Sequence, residues 1–212
     1  MMYKLYARAG SGSFIVEAIL AEAGVACEIH DVERLPGRKS PEYLHKLNPL
    51  GQIPTLILPN GEVMTESAAI AIYLCDLYPK TGLAPALDSP QRAAYLRWLL
   101  FMATTIYMSD LRAIYCERYT DDPNGAEAVK ASALTQRNRQ WDILETELGD
   151  KPYLLGDRLS VLDIYAVMLA AWNKDSREFL AKRPKLRGLY ERVLARPKLA
   201  PVFKRNNMDA LT

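Results

Sequence analysis

Hydroxyls, backbone amides and one acidic side chain are the features of this sequence that suggest chemistry. The first is Ala9-Gly10-Ser11-Gly12-Ser13, a turn leading into an apolar run that begins at Phe14. Unpaired N–H groups and the positive end of a helix make such a junction suited to an anion. A hydroxyl there can donate to a thiolate and hold it ionised, the logic that activates cysteines at helix N-termini. Ser13 equally suits a plain N-cap, and the lysine that a phosphate-binding loop requires is absent. The second feature is Gln52-Ile53-Pro54-Thr55, a proline directly before a strand. A trans bond would simply open an edge strand. A cis bond would turn the Ile53 N–H and C=O outward, where an extended peptide can pair with them as an added strand. The third is Met64-Thr65-Glu66-Ser67-Ala68, a strand end running into a helix. These are capping types, but Ser67 can also receive a carboxylate while Glu66 accepts from an ammonium group. That pair would read the end of an α-amino acid. The fourth, Ser160 and Asp163, has capping-box spacing and is a folding signal.

The elements that must position these groups follow from periodicity. Met2 to Tyr6 reads as a strand, Phe14 to Gly24 as a buried helix with Glu17 and Glu22 its only charges, and Cys27 to Val32 as a second strand. Pro41 opens a short helix ending near Leu47. Two strands flank Pro59-Asn60-Gly61, a tight-hairpin signal, and helix resumes from Glu66 to about Tyr78. The order βαβ then ββα predicts an α/β N-terminal domain over residues 1–80. A linker with little periodicity follows at 81–88, and an all-α domain over 89–212 whose first helix runs unbroken from Pro90 to about Arg118.

Composition removes whole classes of function. Of 212 residues half are hydrophobic and a quarter charged, and 27 Lys and Arg against 25 Asp and Glu leave a net charge of only +2. A nucleic-acid binder needs a concentrated basic surplus, so none is expected as partner. Cys27, Cys75 and Cys116 form no CxxC pair, and His30 and His45 stand in no cluster with ligand spacing, so neither disulfides nor a metal site is expected. The N-terminus lacks a signal-peptide core, and the longest uncharged helical run, Trp98 to Ser109, is too short to span a bilayer. The expectation is a soluble cytoplasmic protein.

On these residues the sequence resembles the glutathione transferase family, from Tyr3 to about Phe203, most specifically over Asn48 to Leu74. The GDRLSVLDI stretch is similar to the family's second-domain capping motif. The resemblance implies a thioredoxin-like first domain and a cis Ile53-Pro54 bond. It implies Ile53 pairing with the cysteinyl backbone of glutathione, and Glu66 with Ser67 holding its γ-glutamyl end. Gln52, with Arg38 and Lys39 behind it, is placed near the glycyl carboxylate. For thiol activation the resemblance points first to Ser11, with Tyr6 and Ser13 as alternatives. Gly12 falls where cysteine-type bacterial members carry their cysteine, which disfavours a mixed-disulfide mechanism. Tyr107, Arg112 and Tyr115 are expected on the wall of a second pocket. The implied activity is attack of the glutathione thiolate on a small hydrophobic electrophile, with glutathione as co-substrate and no further cofactor. A glutathione-dependent isomerase, a peroxide reductase or a non-catalytic carrier would keep many of the same residues. A homodimer is implied by the family alone.

Overall fold

The computed structural model describes residues 2–173 and 175–208. Its sheet has four strands in the order β2-β1-β3-β4. Strand β1 (Tyr3–Ala7) runs parallel to β2 (Cys27–Asp31) and antiparallel to β3 (Thr55–Ile57), while β4 (Val63–Met64) forms the edge. The hairpin between β3 and β4 turns on Gly61 at φ 90°, with Asn60 Oδ1 accepting the Glu62 N–H at 3.0 Å. The period-two pattern of β1 buries Tyr3, Leu5 and Ala7 on one face and leaves Lys4 and Tyr6 on the other. Helix α1 (Phe14–Ala23) covers the buried face, and Phe14, Ile15, Val16, Ala18 and Ile19 are wholly inaccessible.

After the short helix α2 (Glu42–Leu47) and α3 (Ser67–Leu77), every later element among the described residues is helical. These are α4 (Arg92–Phe101), α5 (Tyr107–Ile114), α6 (Ala126–Leu148), α7 (Val161–Ala170), α8 (Ser176–Ala181), α9 (Pro184–Leu194) and α10 (Ala200–Arg205). The mixed sheet followed by helices matches the expected fold class.

The unbroken helix expected from Pro90 to Arg118 is corrected: a π-helical turn, Met102–Ile106, separates α4 from α5, and the α-helix stops at Ile114. The Tyr107 N–H donates to the Met102 carbonyl, five residues back. One additional residue in a turn of 3.6 advances all later side chains by about 100°.

Helix α7 is buried along its entire length. Its start is closed by the expected capping box: Asp163 accepts the Ser160 N–H at 2.7 Å, the Leu154 N–H at 2.8 Å and the Ser160 hydroxyl at 2.9 Å. The two buried charges of α1 also find partners, both from the chain end. Glu17 meets Arg205 at 2.8 Å, and Glu22 accepts two bonds from Arg196 at 2.6 and 3.0 Å. Removing one member of such a pair leaves an uncompensated buried charge.

Candidate functional site

The turn between β1 and α1 is built on its own hydroxyls. Ser11 Oγ donates to the Arg8 carbonyl at 2.7 Å and lies 2.9 Å from Ser13 Oγ, which accepts the Arg8 N–H at 3.2 Å. Each serine has one proton, and this ring of contacts accounts for both. Ser13 is completely buried and makes no side-chain cap to α1; its hydroxyl closes the turn and does not reach a cleft. Ser11 does line a cleft. Asn206 fastens the turn from the other side, its Oδ1 accepting the Gly10 N–H at 3.1 Å.

Opposite the turn, the Ile53–Pro54 bond is cis. Buried Asn48 shapes the loop before it, donating from Nδ2 to the Gln52 carbonyl at 2.9 Å, and Thr55 Oγ1 donates to the same carbonyl at 2.8 Å. Among the described residues neither the N–H nor the C=O of Ile53 has a hydrogen-bond partner. Beyond it, Glu66 holds φ 64°, ψ 104°, a left-handed conformation costly for a residue with a Cβ and met chiefly at functional sites. The first internal bond of α3 is Ile70 N–H to Glu66 C=O, so the N–H groups of Ser67, Ala68 and Ala69 stay open at the positive helix end. Ser67 Oγ lies 2.8 Å from the hydroxyl of Tyr165, which is fully buried in α7 and kept protonated by that burial.

A cleft of about 380 Å³ brings Gln52, Ile53, Pro54, Glu66 and Ser67 together and is walled by apolar residues from Leu100 to Leu111. A second, of about 430 Å³, shares Gln52, Ile53, Tyr107 and Leu111 with the first and adds Ser11 and Tyr115. Tyr107 stands where the two meet. A Cβ built on Gly12 would lie 2.5 Å from its hydroxyl oxygen and 3.3 Å from Cε1 and Cζ, so that oxygen occupies the space a side chain at position 12 would need. Its ring packs edge-on against Trp172 at 4.7 Å between centroids. Burial raises its pKa well above the ordinary phenol value, leaving a hydroxyl that donates and does not ionise.

The placement corrects several expectations. Tyr6 is not in either cleft; it stacks on His30 at 5.0 Å and meets Tyr43 at 6.2 Å on the opposite sheet face, because β1 alternates its side chains. Ser13 is structural, as above. Arg112 is exposed and lines neither cleft, since five residues of helix place it about 140° around α5 from Tyr107. Tyr115 lines the second cleft. Tyr107 lines both clefts, as the pocket-wall reading has it, and also brings its hydroxyl to the head of α1. The side chain of Arg38 lies outside the described residues. Sequence reasoning passed over Tyr165, Asn206 and the loop-shaping role of Asn48. The lone hydroxyl inside the apolar run Ile164–Leu169 was a usable signal for Tyr165; Asn206 gave none.

Residues 13–77 match the model for the glutathione S-transferase N-terminal domain, and residues 100–197 match that for the C-terminal domain. The chain belongs to the glutathione S-transferase family. It is 33% identical over 208 residues to a glutathione S-transferase-like protein of Escherichia coli K12, YncG, described as uncharacterized; the match covers 98% of this chain and all of that one. Among solved structures it is similar to a glutathione transferase from Methylococcus capsulatus, with TM-score 0.84, 32% identity and coverage of 98% of this chain and 100% of that one. A sphingomonad glutathione S-transferase solved with glutathione gives TM-score 0.82 at 27% identity over 97% of this chain and 99% of that one. Among the described residues no helix is long and apolar enough to cross a membrane, and no cluster of three or more His, Cys, Asp or Glu could hold a metal ion.

Proposed function

We propose that this protein is a glutathione transferase that binds the tripeptide across the Ile53 edge, ionises its thiol at the head of α1 and delivers the sulfur to a small electrophile. The observation that carries the reading is the meeting, at Ile53 and Tyr107, of an unpaired strand edge with a helix start. Glutathione extended along Ile53 places its γ-glutamyl carboxylate at the open N–H groups of Ser67, Ala68 and Ala69, its ammonium at Glu66, and its glycyl end by Gln52. The Ser67–Tyr165 bond fixes the angle of that hydroxyl. The sulfur then sits between Ser11, Gly12 and Tyr107. There the dipole of α1 and a protonated phenol both favour the thiolate over the thiol. The mechanism needs no covalent enzyme nucleophile. The thiolate attacks electrophilic carbon on a body packed against Leu111 and its neighbours, with proximity supplying much of the rate.

Ultraviolet titration of the thiolate in bound glutathione tests this directly. Wild type is expected to lower the thiol pKa by about one to two units relative to free glutathione. Ser11→Ala should shift that value by less than about half a unit, since its proton already goes to Arg8. Bound glutathione titrating as it does in solution would leave a carrier and no transferase. An isomerase or peroxide reductase would start from the same thiolate, and product analysis separates them.

Free Cys27, Cys75 and Cys116 fit work in the reducing cytoplasm, the compartment where glutathione is kept as thiol. The two-fold homodimer of the family belongs to the same proposal; sedimentation velocity giving a monomer at micromolar concentration would remove it.

A further inference from the structure

The second cleft is cationic to a degree that one glutathione cannot explain. Arg8, Arg34, Lys39 and Arg118 line it, and among the described residues no Asp or Glu does. None of the four makes an ion pair among the described residues. Lys39 adjoins Ser40, whose hydroxyl bonds the Gly51 carbonyl beside Gln52, and a single glycyl carboxylate would account for it. The three guanidinium groups gather elsewhere, around Tyr115. Arg34 Nη2 donates to the Tyr115 hydroxyl at 3.4 Å, and the Arg118 guanidinium stacks over the Tyr115 ring at 4.2 Å. Arg8 is held by the carbonyls of Val32 and Glu33 at 3.0 and 2.8 Å. Its pKa is lowered first by burial and then by the charge of Arg34, so the two repel one another. Like charges held together without a counter-ion, on one wall of a cleft, form an anion-binding field.

Resting on the transferase reading, we infer that the electrophile this enzyme takes carries a carboxylate, with its flat unsaturated body on Tyr115 and its anionic end among Arg8, Arg34 and Arg118. Ser11 and Tyr107 line the same cleft, so an acid held there presents its reactive carbon to the sulfur. Leu111, which both clefts share, flanks the body of the substrate, and the arginines select its charge. In the transfer step one C–S bond forms, the bond to the leaving group breaks, and that group departs with the electron pair; no oxidant or reductant takes part.

Two probes of matched shape decide the matter: para-chloro-meta-nitrobenzoate and the corresponding benzamide. In each the thiolate displaces chloride from the ring. With each kcat/KM divided by the probe's uncatalysed rate with glutathione, wild type is expected to prefer the benzoate by about tenfold. Arg34→Gln combined with Arg118→Gln should bring the ratio to about one, and Arg118→Glu should bring it below one. Calorimetry adds a readout free of turnover. The benzoate should bind protein saturated with S-methylglutathione, more weakly at high salt and more weakly still in the double variant. A wild-type ratio of one or less, a ratio kept by the double variant, or a rise in KM for glutathione equal for both probes overturns the inference while leaving the transferase reading intact. Glutathione failing to bind at all overturns both.

Discussion

Replacing Tyr107 with phenylalanine is expected to raise the thiol pKa of bound glutathione by about one unit or more and to cut kcat/KM near neutral pH by about 10- to 100-fold. The change removes one oxygen and keeps the ring on Trp172, so the melting temperature should move little. Gly12→Ala is the complementary disturbance. Its methyl group would lie 2.5 Å from the Tyr107 oxygen, the tip of a side chain that borders both clefts and would have to shift. Overpacking of this kind costs about 1–3 kcal/mol and should displace the donor, so activity falls along with stability. In the Tyr107→Phe background the nearest remaining ring atoms stand at 3.3 Å. The stability cost of Gly12→Ala should then largely vanish, a coupling of about 1 kcal/mol or more, while activity stays low. Urea unfolding of the four proteins measures the cycle. Additive stabilities would mean that the phenol does not fill the space beside Gly12.

The second large effect concerns the fold. Asp163→Ala would strand two buried N–H donors, those of Ser160 and Leu154, and free the Ser160 hydroxyl. Each unsatisfied donor costs about 1–3 kcal/mol, so a loss of about 3–4 kcal/mol and about 10 °C in melting temperature is expected. The same carboxyl gives a signature in pH. Burial, outweighing its three donors, holds its pKa up at about 6, against about 3.9 in an unfolded chain. The folded state therefore keeps this proton to higher pH than the unfolded state does. Its contribution to stability is complete below about pH 4, shrinks as pH rises toward about 6 and is flat above that. The stability gap between wild type and Asp163→Asn, whose side chain does not titrate, should narrow across that window. A gap that widened with pH would show that the hydrogen bonds, and not burial, govern this carboxyl.

The sheet and its crossover helix were legible because their signals are local. Alternation in Tyr3–Ala7, the unbroken apolar face of α1 and the Asn60-Gly61 turn each depend on neighbours a few residues away. The loop around Ile53 and the Ser160–Asp163 box were legible for the same reason. The π turn was not: Met102-Ala103-Thr104-Thr105-Ile106 has nothing that distinguishes it from ordinary helix, and its placement is decided by packing. That one turn sets the rotation of every side chain that follows it in α5. Ser13 and Tyr6 failed for a different reason. Sequence position put hydroxyls near the turn, while the direction of each depends on burial and strand alternation across the whole sheet. The clustering of Arg8 and Arg34 with Arg118 was equally hidden, since the residues come from opposite halves of the chain.

The bond from Gly10 N–H to Asn206 spans 196 residues, and Glu17 and Glu22 likewise wait for Arg205 and Arg196. A nascent chain emerging from the ribosome could therefore form the strands of its amino-terminal half early. The turn at Gly10, however, would keep an unanswered amide until Asn206 had been made. A chain that folded before Asn206 was available would leave the Gly10 turn its least finished part.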